Sequence, residues 1–173
     1  MATLAVLGFW LLGAYNRLVR LRQTVVHAFA PVDAQCKQRH ELLAALIAAS
    51  AAALADAPEA GTAVEAARRQ ARGAAEHAAQ RPAHAGRLAS LVLAEQVLQS
   101  ALTRLVTLLL ARPALRNDAT LRALLRDLSA SQHRIAAAGE NFNASVLEYN
   151  RNVTQFPTTL VAALFGFKKA GAL

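Results

Sequence analysis

The sequence predicts an all-α protein: an antiparallel up-and-down four-helix bundle with a short N-terminal membrane-anchor helix that continues into the first bundle helix. Three observations support this fold class. Hydrophobic residues make up 55% of the 173 positions and aromatic residues only 5%, and the excess is mainly alanine and leucine, which favour helices. Apolar residues recur every three or four positions along long stretches, which is the spacing of one helical face. Most of the five prolines fall where such a stretch stops, as expected of helix ends.

The first bundle helix is predicted to begin after residue 16 and to end near Leu54, before the proline- and glycine-containing stretch 56–61. Arg39 and Ser50 occupy two positions of its apolar stripe. Pro31 lies inside the pattern, where its ring and missing N–H predict a bend between a membrane-proximal stalk and the bundle. The apolar members of the stripe are Leu18, Leu21, Val25, Phe29, Val32, Cys36, Leu43, Ile47 and Leu54.

The second helix is predicted to run from about Thr62, which can serve as its N-cap, to Gln80. It is so rich in alanine that the sequence does not assign its buried face. The third helix carries one leucine stripe and stops at Pro113. The stripe consists of Leu88, Leu91, Leu98, Leu102, Leu105 and Leu109. Connections of about five residues join the helices, and connections this short predict antiparallel neighbours.

The fourth helix has the most regular pattern. Asn117 or Asp118 can cap its start, and apolar spacings of four and three continue to Phe156. Such a seam predicts packing against neighbouring helices at a shallow angle. Its central residues are Leu128, Ile135, Phe142, Val146, Tyr149 and Val153, and Gln132 occupies one position between them. The Tyr149 ring is therefore expected in the core, with its hydroxyl bonded to a polar partner.

Residues 1–16 are predicted to form the membrane anchor, because no charged side chain precedes Arg17. Fourteen helical residues span ~21 Å against a hydrocarbon core of ~30 Å, so a single span would be strained. The alternative is that these residues form a buried end of the first helix. The residues expected to anchor the chain are Leu4, Val6, Leu7, Phe9, Trp10, Leu11, Leu12 and Tyr15.

Basic residues flank the anchor on one side only. Arg17, Arg20 and Arg22 follow it, and no lysine or arginine precedes it. The positive-inside rule then predicts a single-pass protein with its N-terminus outside and the bundle, residues 17–156, in the cytoplasm.

Residues 157–173 are predicted to form an amphipathic tail at the same end of the bundle as the anchor. An apolar cluster followed by two lysines suits the interface of a membrane with anionic head groups. The alternative is that the tail folds back and caps the lower end of the bundle. The candidate interfacial residues are Leu160, Leu164, Phe165, Phe167, Lys168 and Lys169.

The net charge of +8 raises the question of nucleic-acid binding. Eight basic and three acidic residues lie between positions 61 and 116, mostly as isolated arginines on an alanine-rich background. The sequence has no RNA-binding aromatic signature, no zinc-finger spacing and no dense basic run. This distribution favours a solvated helix surface, and no nucleic-acid partner is expected.

The sequence offers no constellation for catalysis. None of its five histidines follows an acidic residue by three positions, as the inward-facing di-iron motif of helical bundles requires. It contains no H-E-x-x-H, no G-x-S-x-G and no phosphate-binding glycine loop. Cys36, the single cysteine, lies on the core stripe and is expected to be a buried, inert thiol. We therefore expect no catalytic residue, no metal and no cofactor.

The chain resembles the LemA family. The stretches YNRLVRLRQTVVHAF and VDAQCKQRHELLAALI resemble the family's first helix, and AEQVLQSALTRLVTLLLARPALRND resembles its third. The ending, with YN, FP and FGFK in that order, resembles the family's fourth helix and tail. The resemblance implies a bacterial protein with an N-terminal membrane segment and a four-helix bundle. It implies no enzymatic activity, and one branch of the family is associated with magnetosome membrane formation.

The sequence thus predicts a non-enzymatic, membrane-anchored interaction or scaffold module at the bacterial cytoplasmic membrane. Its expected partners are the lipid bilayer and an unidentified protein, and the sequence does not predict its oligomeric state. Two alternatives remain open: a ligand-binding bundle or enzyme, and a basic nucleic-acid-binding protein.

Overall fold

A computed structural model of the chain describes residues 2–112 and 118–173, with the side chains of all but residues 2–5 and 53. Its helices are α1 (Ala2–Ser50), α2 (Pro58–Gln80), α3 (Ala85–Leu110), α4 (Ala119–Thr154) and α5 (Thr158–Phe165), and a short 3₁₀ helix spans Ala52–Leu54. The described residues contain no strand, so the all-α prediction is confirmed.

Several helix ends differ from the predicted ones. The regular part of α1 ends at Ser50, and α2 begins at Pro58 rather than at Thr62. A proline at the first helical position sacrifices no hydrogen bond, which explains the earlier start. α4 begins after Asp118, whose carboxylate accepts a hydrogen bond from the N–H of Leu121 at 2.9 Å. Asn117 and Pro113 lie outside the described residues.

The helices pack as two antiparallel pairs. α1 packs most extensively on α4, α2 packs on α3, and a smaller contact between α1 and α2 joins the pairs. In the first pair, Arg134 donates to Gln35 at 2.9 Å, whereas Leu18 and Val153 share a cluster nearer the other ends of their helices. Among the described residues, the backbones of α3 and α4 come close at few points, although Leu98 of α3 and Leu128 of α4 belong to one buried apolar cluster. A cleft lies between residues 91–99 of α3 and residues 132–143 of α4, and we call this line the α3–α4 seam.

The apolar interior has two parts. The lower core consists of Leu18, Leu21, Val25, Phe29, Val32, Cys36, Ala75, Ala78, Leu88, Leu91, Phe142, Val146, Tyr149, Val153, Val161, Ala162 and Ala170. The upper core consists of Leu43, Leu46, Leu54, Ala60, Val64, Ala67, Ala71, Ala94, Leu98, Leu105, Leu109, Leu121 and Leu128. The alanines show which face α2 buries, an assignment that the sequence leaves open. Because alanine is small, the backbone of α2 lies close to its neighbours.

Most residues of the apolar pattern predicted for the fourth helix lie inside the bundle. Phe142 is fully buried and meets the ring of Phe29 edge-on, with the ring centroids 5.5 Å apart. Ile135 is only partly buried. Phe156, which continues the sequence pattern, is 75% exposed because α4 ends at Thr154. The residue before a proline is disfavoured in helical conformation, and Pro157 directly follows Phe156.

Replacement of Phe142 by alanine tests this packing. We expect Phe142→Ala to lower the free energy of unfolding by about 3–5 kcal/mol, because it leaves a cavity against Phe29. Arg126→Ala, on the exposed face of the same helix, is expected to stay within about ±0.5 kcal/mol. Urea unfolding followed by circular dichroism measures both, and equal losses would contradict the register of α4.

Candidate functional site

One end of the molecule presents apolar side chains to its surroundings. The start of α1 extends beyond the bundle, and its apolar residues are exposed there, as far as their side chains are described. These residues are Val6, Leu7, Phe9, Trp10, Leu11 and Leu12. The side chain of Leu4, also predicted to anchor the chain, lies outside the described part. We call this surface, together with the exposed face of α5, the apolar end.

α5 lies beside the start of α1 at this end. It buries Val161 and Ala162 in the lower core and turns Leu160, Leu164 and Phe165 outward, with Leu164 72% exposed. A helix buries only one face against its neighbours, so the other face of this apolar helix stays exposed. Phe156 adds a further exposed ring close to the start of α5, whereas the sequence pattern predicts this ring on the packed face of the fourth helix.

Tyr15 joins the two helices. Its ring centroid lies 4.8 Å from that of Phe165 and 5.7 Å from that of Phe167, in tilted and edge-on arrangements. Such aromatic pairs add about 0.5–1.5 kcal/mol each beyond the area they bury. Tyr15 and Phe167 are both partly buried. This aromatic cluster holds α5 against α1 at Tyr15, just after the exposed apolar residues at the start of the helix.

Basic residues surround the apolar end. Arg17, Arg20 and Arg22 are exposed within the two turns that follow Tyr15, and Lys168 and Lys169 are exposed after α5. Arg22 lines the same surface depression as Lys168 and Lys169. One of the predicted flanking residues, Arg22, is therefore brought beside the predicted tail lysines.

The chain reverses after α5. Gly166 adopts a left-handed conformation with φ of 70°, which favours glycine, and the N–H of Phe167 bonds to the carbonyl of Ala162. Residues 168–173, which we call the C-terminal segment, then run back along α4. The hydroxyl of Tyr149 donates to the carbonyl of Lys168 at 3.0 Å. The structure thus divides the predicted tail into an exposed apolar helix and a segment packed on the bundle.

A layer of polar side chains separates the two cores. Arg39, 5% exposed, pairs with Glu95 of α3 through Nη2 and donates to Gln132 of α4 at 3.4 Å. His40 and Ser131 are also buried. The sequence carried a signal of this polar layer, because Arg39 and Gln132 interrupt the apolar stripes of the first and fourth helices. It did not show that the two residues meet, nor that Glu95 joins them.

The groups in and beside the polar layer favour inert protonation states. Burial, with the charge of Glu95 as a smaller cause, raises the pKa of the Cys36 thiol from 9.0 to about 11. Burial and then the neighbouring Arg39 lower the pKa of His40, so its imidazole is neutral at pH 7. Neither ring nitrogen of His40 has a hydrogen-bond partner among the residues that the structure describes. A thiolate, the nucleophilic form of cysteine, is thus disfavoured at Cys36.

Two clefts reach the polar layer from opposite sides. A cleft of about 330 Å³ between α1 and α2 is lined by Cys36, His40, Arg72 and Glu76, among others. A second cleft of about 420 Å³ lies in the α3–α4 seam, with Arg39 and Glu95 among its lining residues. Among the residues that the structure describes, no three His, Cys, Asp or Glu side chains are grouped so as to hold a metal ion.

The raised pKa of Cys36 predicts a pH effect on stability. Between pH 9 and 11 the unfolded chain loses the thiol proton while the folded chain retains it, so the free energy of unfolding falls as the pH rises through this window. At pH 10.5 the loss attributable to Cys36 should be about 2 kcal/mol. Urea unfolding of the natural chain and of Cys36→Ala at pH 8 and 10.5 measures it, with all other groups cancelling in the comparison. A difference between the two chains that does not change with pH would contradict the raised pKa.

One described helix has the length and composition to cross a membrane. It is α3, in which 22% of the most apolar 18-residue stretch is buried. A helix that packs within a bundle passes the same test, so this finding alone assigns no span.

Comparison with models of protein families gives a match. The family model described as LemA family matches residues 28–173, which is most of the chain and includes the polar layer, α5 and the C-terminal segment. A comparison with curated proteins found no match. The family match covers far more than half of the sequence, and the chain belongs to the LemA family.

Proposed function

We propose that this protein is a non-enzymatic interaction or scaffold module tethered to the bacterial cytoplasmic membrane. Membership of the LemA family suggests a membrane-associated protein. The observation that carries the proposal is the apolar end, where the projecting start of α1 and the outward face of α5 expose large apolar side chains side by side. Large exposed apolar patches are rare on monomeric soluble proteins and mark interaction with membranes or other proteins.

The chemistry around the apolar end favours a lipid surface. Residues 6–12 would enter the hydrocarbon, Tyr15 would lie at the interface, where tyrosine is enriched, and α5 would lie along the membrane surface. Exposed arginines and lysines follow both apolar segments, and each would gain about 1 kcal/mol near anionic head groups. Both apolar segments can contact the same membrane only if they lie at the same end of the bundle, as they do in an up-and-down four-helix topology.

The proposed orientation is a single-pass protein with a cytoplasmic bundle. Its support is the position of Arg17, Arg20 and Arg22 after the apolar segment, because basic residues are retained on the cytoplasmic side. In this orientation the polar layer, both clefts and the C-terminal segment face the cytoplasm. A role in organising membranes, as implied for one branch of the family by magnetosome formation, is compatible with this placement.

A non-enzymatic role is supported by the polar layer. The thiol of Cys36 and the imidazole of His40 are both held neutral, and the charge of Arg39 is balanced by Glu95. We propose no cofactor. The second candidate function, a ligand-binding bundle, is favoured by the cleft of about 420 Å³ in the α3–α4 seam, which falls within the size range of small-molecule sites.

Deletion of residues 1–14 tests the anchor. The natural chain should stay in the membrane pellet after a carbonate wash, and the shortened chain should appear in the soluble fraction, because exposed apolar side chains that insert in lipid are removed. The deletion leaves Tyr15 and its aromatic partners in place. A natural chain that fractionates as soluble would rule out the anchor.

The outward face of α5 is tested in the chain that lacks residues 1–14. We expect Leu160→Ser with Leu164→Ser to weaken binding to phosphatidylglycerol-containing vesicles about tenfold or more, since each substitution removes roughly 1–2 kcal/mol of apolar burial. The matched control is Leu93→Ser with Leu147→Ser, which replaces two equally exposed leucines on α3 and α4.

Vesicle flotation measures both pairs of substitutions, and circular dichroism checks that both variants stay helical. If the two pairs have the same effect on flotation, α5 makes no specific contact with the membrane.

A further inference from the structure

The C-terminal segment reveals a second interaction surface, in the α3–α4 seam. We propose that this seam is a binding groove for an extended segment of another protein, recognised mainly through its main chain, and that residues 168–173 are the resident occupant. The inference deepens the proposed interaction role by naming its surface and the chemistry of its partner. The binding step itself does not depend on the membrane.

Main-chain hydrogen bonds hold the C-terminal segment in place. The side-chain amide of Asn150 donates to the carbonyl of Ala170 at 2.9 Å and accepts from its N–H at 2.8 Å. Asn143 makes the same pair of bonds with Leu173, at 2.9 and 2.8 Å. An asparagine amide offers one acceptor and two donors, so it can satisfy both main-chain groups of one residue whatever its side chain. Recognition of this kind is transferable to another extended chain.

The spacing of the two asparagines matches an extended peptide. Asn143 and Asn150 are two helical turns apart, which is ~10.5 Å along α4 at ~1.5 Å per residue. Ala170 and Leu173 are three residues apart and span ~10 Å in an extended chain at ~3.3 Å per residue. The segment runs antiparallel to α4, because residue 170 pairs with Asn150 and residue 173 with Asn143. The groove therefore reads every third residue of an extended chain.

Close approach to α3 adds selectivity. Ala170 is buried, and a Cβ added to Gly171 would lie 2.7 Å from the Cα of Ala85 at the start of α3. The groove thus requires a small residue followed by glycine. Ala172 is exposed and its position is free to vary, whereas Leu173 reaches into the cleft of the seam. The preferred partner is an extended stretch with the pattern small, glycine, any residue, apolar residue.

The groove also offers side-chain amides. The cleft of about 420 Å³ that Leu173 lines is lined as well by Gln96 and Gln99 of α3 and by Gln132 of α4. Glutamine amides offer the same donor and acceptor groups as the two asparagines. A partner segment whose main chain reaches these amides would compete with residues 168–173 for the groove.

The experiment frees the groove by changing the occupant rather than the groove. Gly171→Ala in the full-length, detergent-solubilised protein should expel the C-terminal segment through the clash with Ala85. The probe is a fluorescent nonapeptide, Lys-Lys-Ala-Gly-Ala-Leu-Ser-Ala-Ser, with binding followed by fluorescence anisotropy. We expect it to bind Gly171→Ala at least tenfold more tightly than the natural chain, where the resident segment competes. The matched control is Gly73→Ala, which meets no atom within 4 Å and should bind like the natural chain.

Two further measurements establish how the peptide is read. Adding Asn143→Ala to Gly171→Ala should weaken peptide binding about tenfold or more. A probe with alanine in place of its glycine should bind at least tenfold more weakly. Faster trypsin cleavage after Lys168 and Lys169 shows that the C-terminal segment has left the groove. If Gly171→Ala still holds the segment in the groove, a chain ending at Phe167 replaces it in the peptide-binding measurement.

Equal peptide binding by Gly171→Ala and Gly73→Ala, with the segment shown to be released, would overturn the proposal. So would indifference to Asn143→Ala, or exchange of segments between copies seen as a concentration-dependent dimer that excludes the probe. Carbonate washing of the same variants keeps the two proposals apart: loss of membrane retention counts against the anchor, and loss of peptide binding alone counts against the groove.

Discussion

The edge-on contact of Phe29 with Phe142 lies within the long interface between α1 and α4, and the remaining elements depend on that interface. Antiparallel packing brings the end of α4 to the level where α1 leaves the bundle, so that α5 can lie against Tyr15. It also places Asn143 and Asn150 beside the start of α3, where the C-terminal segment returns. A change of register between α1 and α4 would move the start of α1 away from α5. The same change would displace Asn143 and Asn150 from the C-terminal segment.

The polar layer contributes something other than net stability. Removing Arg39 and Glu95 from water is costly, and their attraction in the interior roughly offsets that cost, as buried ion pairs commonly do. A buried guanidinium has few acceptable partners, however, and here it meets a carboxylate on α3 and an amide on α4. Register shifts of either helix would leave the charge of Arg39 unpaired. We infer that the polar layer aligns three helices in a bundle whose alanine-rich faces specify register poorly.

The apolar end and the α3–α4 seam lie on different parts of the same molecule. The first would fix the protein to a membrane, and the second would remain accessible along the side of the bundle. Gly166 links them, because the chain passes through this residue from α5 into the C-terminal segment. Displacement of that segment by a partner would thus leave the contact of α5 with Tyr15 in place, since Phe165 precedes the turn.

The sequence by itself determined the fold class, the approximate course of the long helices and the apolar character of the first residues. These features follow from local periodicity and composition, which depend on near neighbours in the chain. The motifs of the ending also pointed to the LemA family. The sequence indicated a polar layer, because Arg39 and Gln132 interrupt apolar stripes, but it did not predict that Arg39 pairs with Glu95.

Only the tertiary structure decided which alanines of α2 are buried, because an alanine-rich helix offers no contrast between its faces. It also decided that residues 168–173 return along α4 instead of continuing with α5. The hydrogen bonds behind this return join residues that are 19 or more positions apart, as Tyr149 and Lys168 are. A side-chain amide that bonds to a distant main chain leaves no periodic trace in the sequence, because its partner contributes only the N–H and C=O that nearly every residue has.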